Sequence, residues 1–508
     1  MDKARRILKR LAIIIVILIA VVYGALWLRW PLPAKTVPGP EAGPHANWWD
    51  NPRPMSQAEA EALRFISSVT WQLPPEDSSG VWSMGGRRQT GVSSIRYHAA
   101  FAGYAAALAG MHTPACPELT AKIMRSLIAR MLDKFTWHYV EYYWREEKTF
   151  PDPVAFENIM YSGHLLHLLA YYEAITGDDR YRTAGFDFVW DESTRIHYDT
   201  MKLAETIAGL MRSSDCGGVC CEPGLVFFPC NNHPQVGLLA LEAMGYGSWE
   251  KERRRWEKFA LSSFGTIFGG GAFKLLYMPR YKIFVPRGVP GLDGWSVLWY
   301  YPWASDPERV GQVWRRAAAH IDWTAFSDSN PGLTNIPLAD CCGGMGEVPA
   351  AVVAAFDFPA AASAGDLESA ALLKDWLERF WLERTNGLAY IRTDVKGQIA
   401  STANYLIGLS LLNGADSRAL TRHPLPRDYF ATGPWIESVL PEDATIYCAY
   451  RSGSNLAVEV EAPGEVVLRL KNMPAVRRVE GVAESAWKYS GTELKITLAG
   501  RKKIQICP

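Results

Sequence analysis

Between Ala58 and Asn413 the chain is a succession of helical patterns joined by short turns, and this limits the fold more than any other feature. Apolar residues recur at helical spacing over 94–111, 117–133, 155–176, 201–211, 232–244, 249–262, 307–321, 348–356, 366–380 and 400–412. No strand runs separate them in βα rhythm. Roughly a dozen helices without a heptad repeat suit pairwise packing into a toroid better than a bundle. The expected body is mainly α, an α/α barrel over 56–430.

Both ends change texture. Leu425-Pro426 and Gly433-Pro434 break the helical pattern. Leu456, Val458 and Val460, then Val466, Leu468 and Leu470, then Leu494, Ile496 and Leu498 alternate in period two. This predicts a small C-terminal antiparallel β domain of about five strands over 431–508. Cys448 and Cys507 fall in its first and last strands, where pairing and plain burial are both open. At the other end, Lys3, Arg5, Arg6, Lys9 and Arg10 precede an uncharged apolar run from Leu11 to Leu28. That run is long enough for an N-terminal transmembrane helix, with Trp27, Arg29 and Trp30 at the interface. A cleaved signal peptide is the rival, and Tyr23-Gly24-Ala25 is a poor cleavage site for one. Residues 1–30 are therefore expected to be a single-pass membrane anchor. Its basic end lies in the cytoplasm and the catalytic part on the periplasmic or extracellular side. Residues 31–55 are a proline-rich spacer, and Ser56 to Glu59 spells a capping box. With 53 basic and 53 acidic residues and no basic cluster after the first few, nucleic acid is not an expected partner.

Chemistry-bearing residues concentrate between Glu157 and Pro234. Asp152-Pro153 offers a helix start, and Glu157, Met160, Tyr161, His164 and His167 then share one stripe at spacings of three and four. A core stripe is normally apolar, so these polar groups are either hydrogen-bonded structural residues, the commoner case for one histidine, or the polar part of a lined pocket. Further on come Val219-Cys220-Cys221-Glu222-Pro223, a short extended run from Leu225 to Phe228, and Cys230. Asn231 is there to cap a helix through Leu238, Leu239 and Leu241. A thiol at a helix N-terminus sits in positive potential, which makes Cys230 the better nucleophile. Three chemistries fit these cysteines. Cys216, Cys220, Cys221, Cys230 and His233 could hold zinc, although paired CxxC spacing is missing and adjacent ligands seldom share one tetrahedral ion. Disulfides among Cys116, Cys216, Cys220, Cys341 and Cys342 are a second reading. Free functional thiols flanking an acid are the third.

The sequence resembles the linalool dehydratase/isomerase family. The resemblance rests on ENIMYSGHL (Glu157 to Leu165), TGDDRY (Thr176 to Tyr181), GVCCEP (Gly218 to Pro223) and the nine-residue step from Cys221 to Cys230 followed by Asn231. Weaker similarity covers Ser94 to Ala109, Asp293 to Pro307 and Asp340 to Glu347, and the whole extends over roughly Ala60 to Asn413. It implies an (α/α)6 barrel, no cofactor, a small apolar alcohol or alkene substrate, and a ring-shaped homo-oligomer. It also implies site roles for Tyr97, Met160, His164, Cys221, Glu222 and Cys230. Where the family carries an aspartate in its first helix, this chain has Arg64.

Other candidates come from loops at helix ends. Gly269-Gly270-Gly271, Gly343-Gly344 and the aromatic run Trp295, Trp299, Tyr300, Tyr301, Trp303 fall in or beside such loops. Asp293 and Asp340 are carboxylates at the same places, more often caps than acids. Trp295, Asp293, Met160 and Asn231 are expected to contact substrate, and no metal is assigned. The function expected is a dehydratase/isomerase-like lyase acting on an allylic or tertiary alcohol. Glu222 or His164 would be the acid, with burial among thiols raising the carboxyl towards the working range. Cys221 or His164 would be the base, Cys230 a nucleophile and Tyr97 a ligand for the hydroxyl. A membrane-anchored glycan hydrolase or lyase using two carboxylates is the alternative enzyme. A tethered binding protein with disulfides is the non-enzymatic one.

Overall fold

The computed structural model describes residues 2–27, 47–73, 82, 94–265, 273–285, 291–321, 323–326, 335–339, 345–393, 398–473 and 475–508. An N-terminal helix, α1 (Asp2–Trp27), precedes a body of alternating outer and inner helices. These are α2 (Gln57–Ser68), α3 (Ile95–Gly110), α4 (Glu118–Leu132), α5 (Ile159–Thr176), α6 (Thr200–Ser213) and α7 (Phe228–Ala243). They continue with α8 (Glu250–Ser263), α9 (Leu292–Tyr300), α10 (Glu308–Ala318), α11 (Ala350–Ser363), α12 (Leu367–Phe380) and α13 (Gln398–Leu412). The odd-numbered helices from α3 to α13 pack each on the next, and α13 packs back on α3, closing a ring. The even-numbered ones lie outside it, which is the architecture of an α/α barrel.

Composition explains which helix goes where. Every residue of α3, α5 and α9 is buried, as suits helices that are apolar all round. In α8 only Arg253, Trp256, Glu257, Ala260 and Ser263 are buried, one stripe at helical spacing. The inner helices all run the same way, so their first turns share one end of the barrel. The connections entering that end are long: 69–94, 133–158, 214–227, 264–291, 319–349 and 381–397. Those leaving the other end are mostly short, with 111–117, 244–249, 301–307 and 364–366 as examples.

Several sequence expectations need correction. The run containing Trp295, Trp299 and Tyr300 is not loop but helix α9, which shows no periodicity because it is buried on every side. Helix α5 starts at Ile159 with Asn158 as its cap residue, not at Pro153. Asp152 instead turns the chain, its Oδ1 accepting from the amides of Val154 and Ala155. Helix α7 starts at Phe228, ahead of Asn231. The glycine clusters at 269–271 and 343–344, and Asp340, lie outside the described residues.

The side chains of α1 are described for residues 9–21, where Leu11, Ile13 to Ile19 and Val21 are 50–64% exposed. Among the described residues no helix is long and apolar enough to cross a membrane. The transmembrane anchor expected at Leu11 to Leu28 is therefore unsupported by the structure.

The C-terminal unit has eight strands where about five were expected: β1 (Trp435–Leu440), β2 (Thr445–Ser452), β3 (Asn455–Ala462), β4 (Glu465–Lys471), β5 (Arg478–Glu480), β6 (Trp487–Ser490), β7 (Glu493–Thr497) and β8 (Gly500–Cys507). They form two antiparallel sheets in the orders β2-β3-β8-β5 and β6-β7-β4-β1. The inward residues, among them Val458, Val460, Leu468, Leu494, Ile496 and Ile506, make one core. The unit docks on the turn after α3, where the Ala115 amide donates to Ala449 O (2.9 Å) and the Ile436 amide to Ala115 O (2.7 Å). That turn lies at the opposite end of α3 from Tyr97.

Candidate active site

The cysteine segment is shaped by one turn and one clamp. The Leu225 amide donates to Glu222 O at 2.9 Å across Pro223-Gly224, and Gly224 has φ +74°. Proline second and a positive-φ glycine third are what a type II turn requires. The Cys221 amide donates to Leu225 O at 2.7 Å, and the Ile159 amide donates to Cys220 O at 3.0 Å, tying the turn to the first residue of α5. Glu157, just ahead of that helix, accepts from the Gly224 amide at 3.1 Å. Asn231 is the clamp. Its Oδ1 accepts from the Val219 amide (2.8 Å), and its Nδ2 donates to Val219 O and Phe227 O (2.9 Å each). Both Nδ2 protons are thereby used, so Asn231 shapes the site through its bonds to backbone.

The turn brings Cys221 against Cys230, the third residue of α7. Both thiols are free and buried, as are Cys116, Cys216, Cys220, Cys448 and Cys507. Burial pushes the Cys221 thiol well up, and the adjacent Cys230 thiol and the Glu222 carboxyl push the same way. Cys221 is therefore a protonated thiol at neutral pH. Cys220 is raised too, by burial and then by Glu157. Glu222 is buried beside them, 7% exposed. Among the described residues no three His, Cys, Asp or Glu side chains come together as a metal site, so the zinc reading has no ligand set there. The disulfide reading fails for these seven cysteines, while Cys341 and Cys342 lie outside the described residues.

A layer of rings crosses the barrel at the first turns of the inner helices. Tyr97 and Trp295 stand edge-on to each other at 5.1 Å, and Tyr97 lies 5.2 Å from the His164 ring. Trp295 stacks on Phe356 at 5.5 Å, and Phe101 closes against both. Below, His164 stacks on His233 at 3.6 Å. Trp295 Nε1 donates to His233 Nε2 (2.8 Å), so the His233 proton sits on Nδ1 and points to His167 Nδ1 (3.2 Å). Burial holds all three imidazoles well below the usual histidine range. Arg96 adds to this for His164, and the neighbouring histidines add to it for the other two.

Arg96 is fully buried, donates to Met160 Sδ (3.4 Å), and lies over the rings of Tyr97 and Tyr139 (4.7 Å each). Met160 thus reaches the layer through Arg96. Asp293 accepts from the Phe273 amide (3.2 Å) in the first turn of α9. Burial and then the charge of Asp293 push the Asp357 carboxyl of α11 well up. Arg64, at the family's aspartate position, is turned away from the site and bonds Thr445 and Gly387 O. A cavity of about 560 Å³ lined by Arg64, Trp71, Thr113 and Thr445 lies at the junction with the β unit, not at the thiols.

The structure thus brings Tyr97, His164, Met160 and Trp295 into one layer, and sets the turn carrying Cys221 and Glu222 against Cys230 of α7. The Cys220–Ile159 bond joins the two at the start of α5. Sequence reasoning passed over Arg96, Tyr104 and Asp357. A lone charge in the apolar runs SIRYHAAFAGY and AVVAAFDFPAA was the available signal for the first and last.

Three solved structures resemble the chain only distantly. They are an unsaturated glucuronyl hydrolase from Bacillus sp. GL1 (13% identity, 70% of this chain and 95% of that one, TM-score 0.43), a family 105 glycoside hydrolase from C. acetobutylicum (9%, 69% and 98%, 0.42) and endoglucanase CelQ from Clostridium thermocellum with cellotetraose (12%, 89% and 92%, 0.29). The family model for linalool dehydratase/isomerase matches residues 96–395, which takes in five of the six inner helices, α3 from its second residue through α11, and every residue of the thiol segment and the ring layer. The chain belongs to the linalool dehydratase/isomerase family.

Proposed function

We propose that the protein is a dehydratase/isomerase-like lyase for an allylic or tertiary alcohol of terpenoid type, working without a cofactor. The observation that carries this reading is the pair of free, buried thiols at Cys221 and Cys230 with Glu222 beside them, joined to the His164–Tyr97 layer. In this scheme Tyr97 holds the substrate hydroxyl and Glu222 gives it a proton as the C–O bond breaks and water departs. Cys230 meets the electron-poor carbon, and Cys221, a neutral thiol, packs against it. His164 takes the proton from the neighbouring carbon, whose C–H electrons become the alkene. The released water carries that proton back to Glu222. Return of water to the other allylic carbon gives the isomer.

The test is turnover of a panel of allylic alcohols in deuterated buffer. Deuterium in recovered substrate or alkene supports the scheme, and loss of turnover in Glu222→Gln and Cys221→Ala/Cys230→Ala is expected. Full activity in both variants would sink it. Release of reducing sugar from polysaccharide in a parallel arm would replace it with a glycan-active enzyme. We also propose that the exposed apolar run of α1 holds the protein to a lipid bilayer, with the catalytic body outside the cytoplasm. Carbonate extraction of membranes tests this, because recovery of the full chain in the soluble fraction overturns it. Self-association, proposed from the family alone, is checked by light scattering.

A further inference from the structure

Tyr104 has no role in the scheme above, yet it makes the closest polar contact to His164. Helix α3 can approach α5 here because residue 103 is glycine: a Cβ there would lie 2.2 Å from Leu168 Cδ1. The approach sets Tyr104 Oη 2.9 Å from His164 Nδ1 and 3.2 Å from the His164 carbonyl oxygen. The tyrosine ring is stacked on His167 at 3.8 Å and wedged by Trp299 at 4.7 Å, so it has no room to swing away.

A phenol has one proton, and two acceptors face it. Burial pushes the Tyr104 hydroxyl well above its ordinary value, so it stays neutral. If it donates to Nδ1, the contact with the carbonyl carries no proton. The imidazole proton then sits on Nε2, a buried atom with no hydrogen-bond partner among the described residues. If instead it donates to the carbonyl while Nδ1–H donates to the phenol oxygen, both contacts are hydrogen bonds and Nε2 keeps its lone pair. Among the described residues no other neighbour competes for Nδ1. His233, stacked on the ring, is committed to Trp295 and His167, and Arg96 presents only a positive charge.

We propose that Tyr104 is the positioning residue that fixes His164 as its Nδ1–H tautomer, leaving the Nε2 lone pair to take the substrate proton. The tautomer stands on geometry alone, and only its catalytic consequence rests on the dehydratase/isomerase reading.

The experiment is a long-range 1H–15N correlation on full-length protein labelled with 15N-histidine, the His164 signals being assigned by their loss in His164→Gln. The expected spectrum has an unprotonated Nε2 and a protonated Nδ1 at residue 164. A protonated Nε2 in the unmodified protein overturns the proposal. Tyr104→Phe keeps the ring stacking and removes both the acceptor and the donor, so His164 is expected to move towards the Nε2–H form. An unchanged His164 signal in that variant overturns it, and if the variant does not fold, the unmodified spectrum decides alone. Where an alcohol is turned over, Tyr104→Phe is expected to lower kcat about 10- to 100-fold with KM unchanged. Loss of turnover in His164→Gln with none in Tyr104→Phe overturns the positioning role while the dehydratase reading stands. No turnover by the unmodified protein overturns that reading and leaves the tautomer to the spectrum.

Discussion

Asn231 spends both amide protons, and accepts once at its oxygen, on backbone groups. Asn231→Ala would take the side-chain partner from the Val219 amide and carbonyl in a buried place, while Phe227 O keeps the backbone amide of residue 231, so a loss of about 2–3 kcal/mol is expected in urea unfolding. The cost should fall on activity as well, since Val219 precedes both thiols of the turn. Thiol chemistry offers a pH test. Cys221 is raised well above the usual thiol range of about 8.5. It is therefore the thiol and not the thiolate at pH 7, and only the thiolate alkylates quickly. Iodoacetamide labelling of the folded protein, followed by mass spectrometry, should leave Cys221 and Cys116 unmodified at neutral pH. Labelling should rise only in strong alkali, Cys116 being pushed up to about 12 by burial. Rapid labelling of Cys221 at pH 7 would contradict its placement.

Helix α2 shows how a local spelling becomes a structural joint. Ser56 accepts from the Glu59 amide, and the Glu59 carboxylate accepts from the Ser56 amide, as the capping-box spelling implies. The sequence does not show that Glu59 also meets His112 Nε2 at 3.1 Å and Asn413 Nδ2 at 2.8 Å, across the far end of the barrel. Burial pushes the Glu59 carboxyl up, but His112 and Ser56 together outweigh it and hold it below the ordinary range. A depressed carboxyl stabilises the fold fully above the unfolded glutamate value, about 4.3, and the contribution is lost as pH falls through the folded value. His112→Ala should cost about 1–3 kcal/mol, because it removes one partner of a buried carboxylate that keeps its bonds to Ser56 and Asn413, and should flatten this acid limb in a pH series of thermal melts. Legibility follows the same divide. Outer helices such as α8 show a stripe and a start signal, whereas α9, nine residues buried all round, has no period to find. Cys221, Glu222 and Cys230 are legible because one short segment carries them. Tyr104, Arg96 and Asp357 gain meaning only when α3, α5, α9 and α11 are side by side.

At the scale of the molecule there are two cores, one in the barrel and one between the sheets, and Ala115 and Cys116 of the α3–α4 turn belong to the second. The β unit is therefore part of the barrel's far wall. Removing residues 433–508 uncovers that turn and breaks the backbone bonds of Ala115, Ala449, Ile436 and Tyr447. The urea midpoint of the remainder should fall clearly, with an unchanged midpoint showing the two units to be independent. The strand pattern announced this unit, but strand count and docking depend on pairings distant in sequence. The unequal connections have a longer reach. The connections that enter the end where the thiols lie are long in sequence, while the ring is held by contacts between the inner helices. Mutation can therefore lengthen, shorten or recolour the entering segments other than 214–227, which carries Cys221 and Glu222, while the inner helices that hold Tyr97, His164 and Cys230 keep their packing. A lineage built this way is free to change its diet without rebuilding its house.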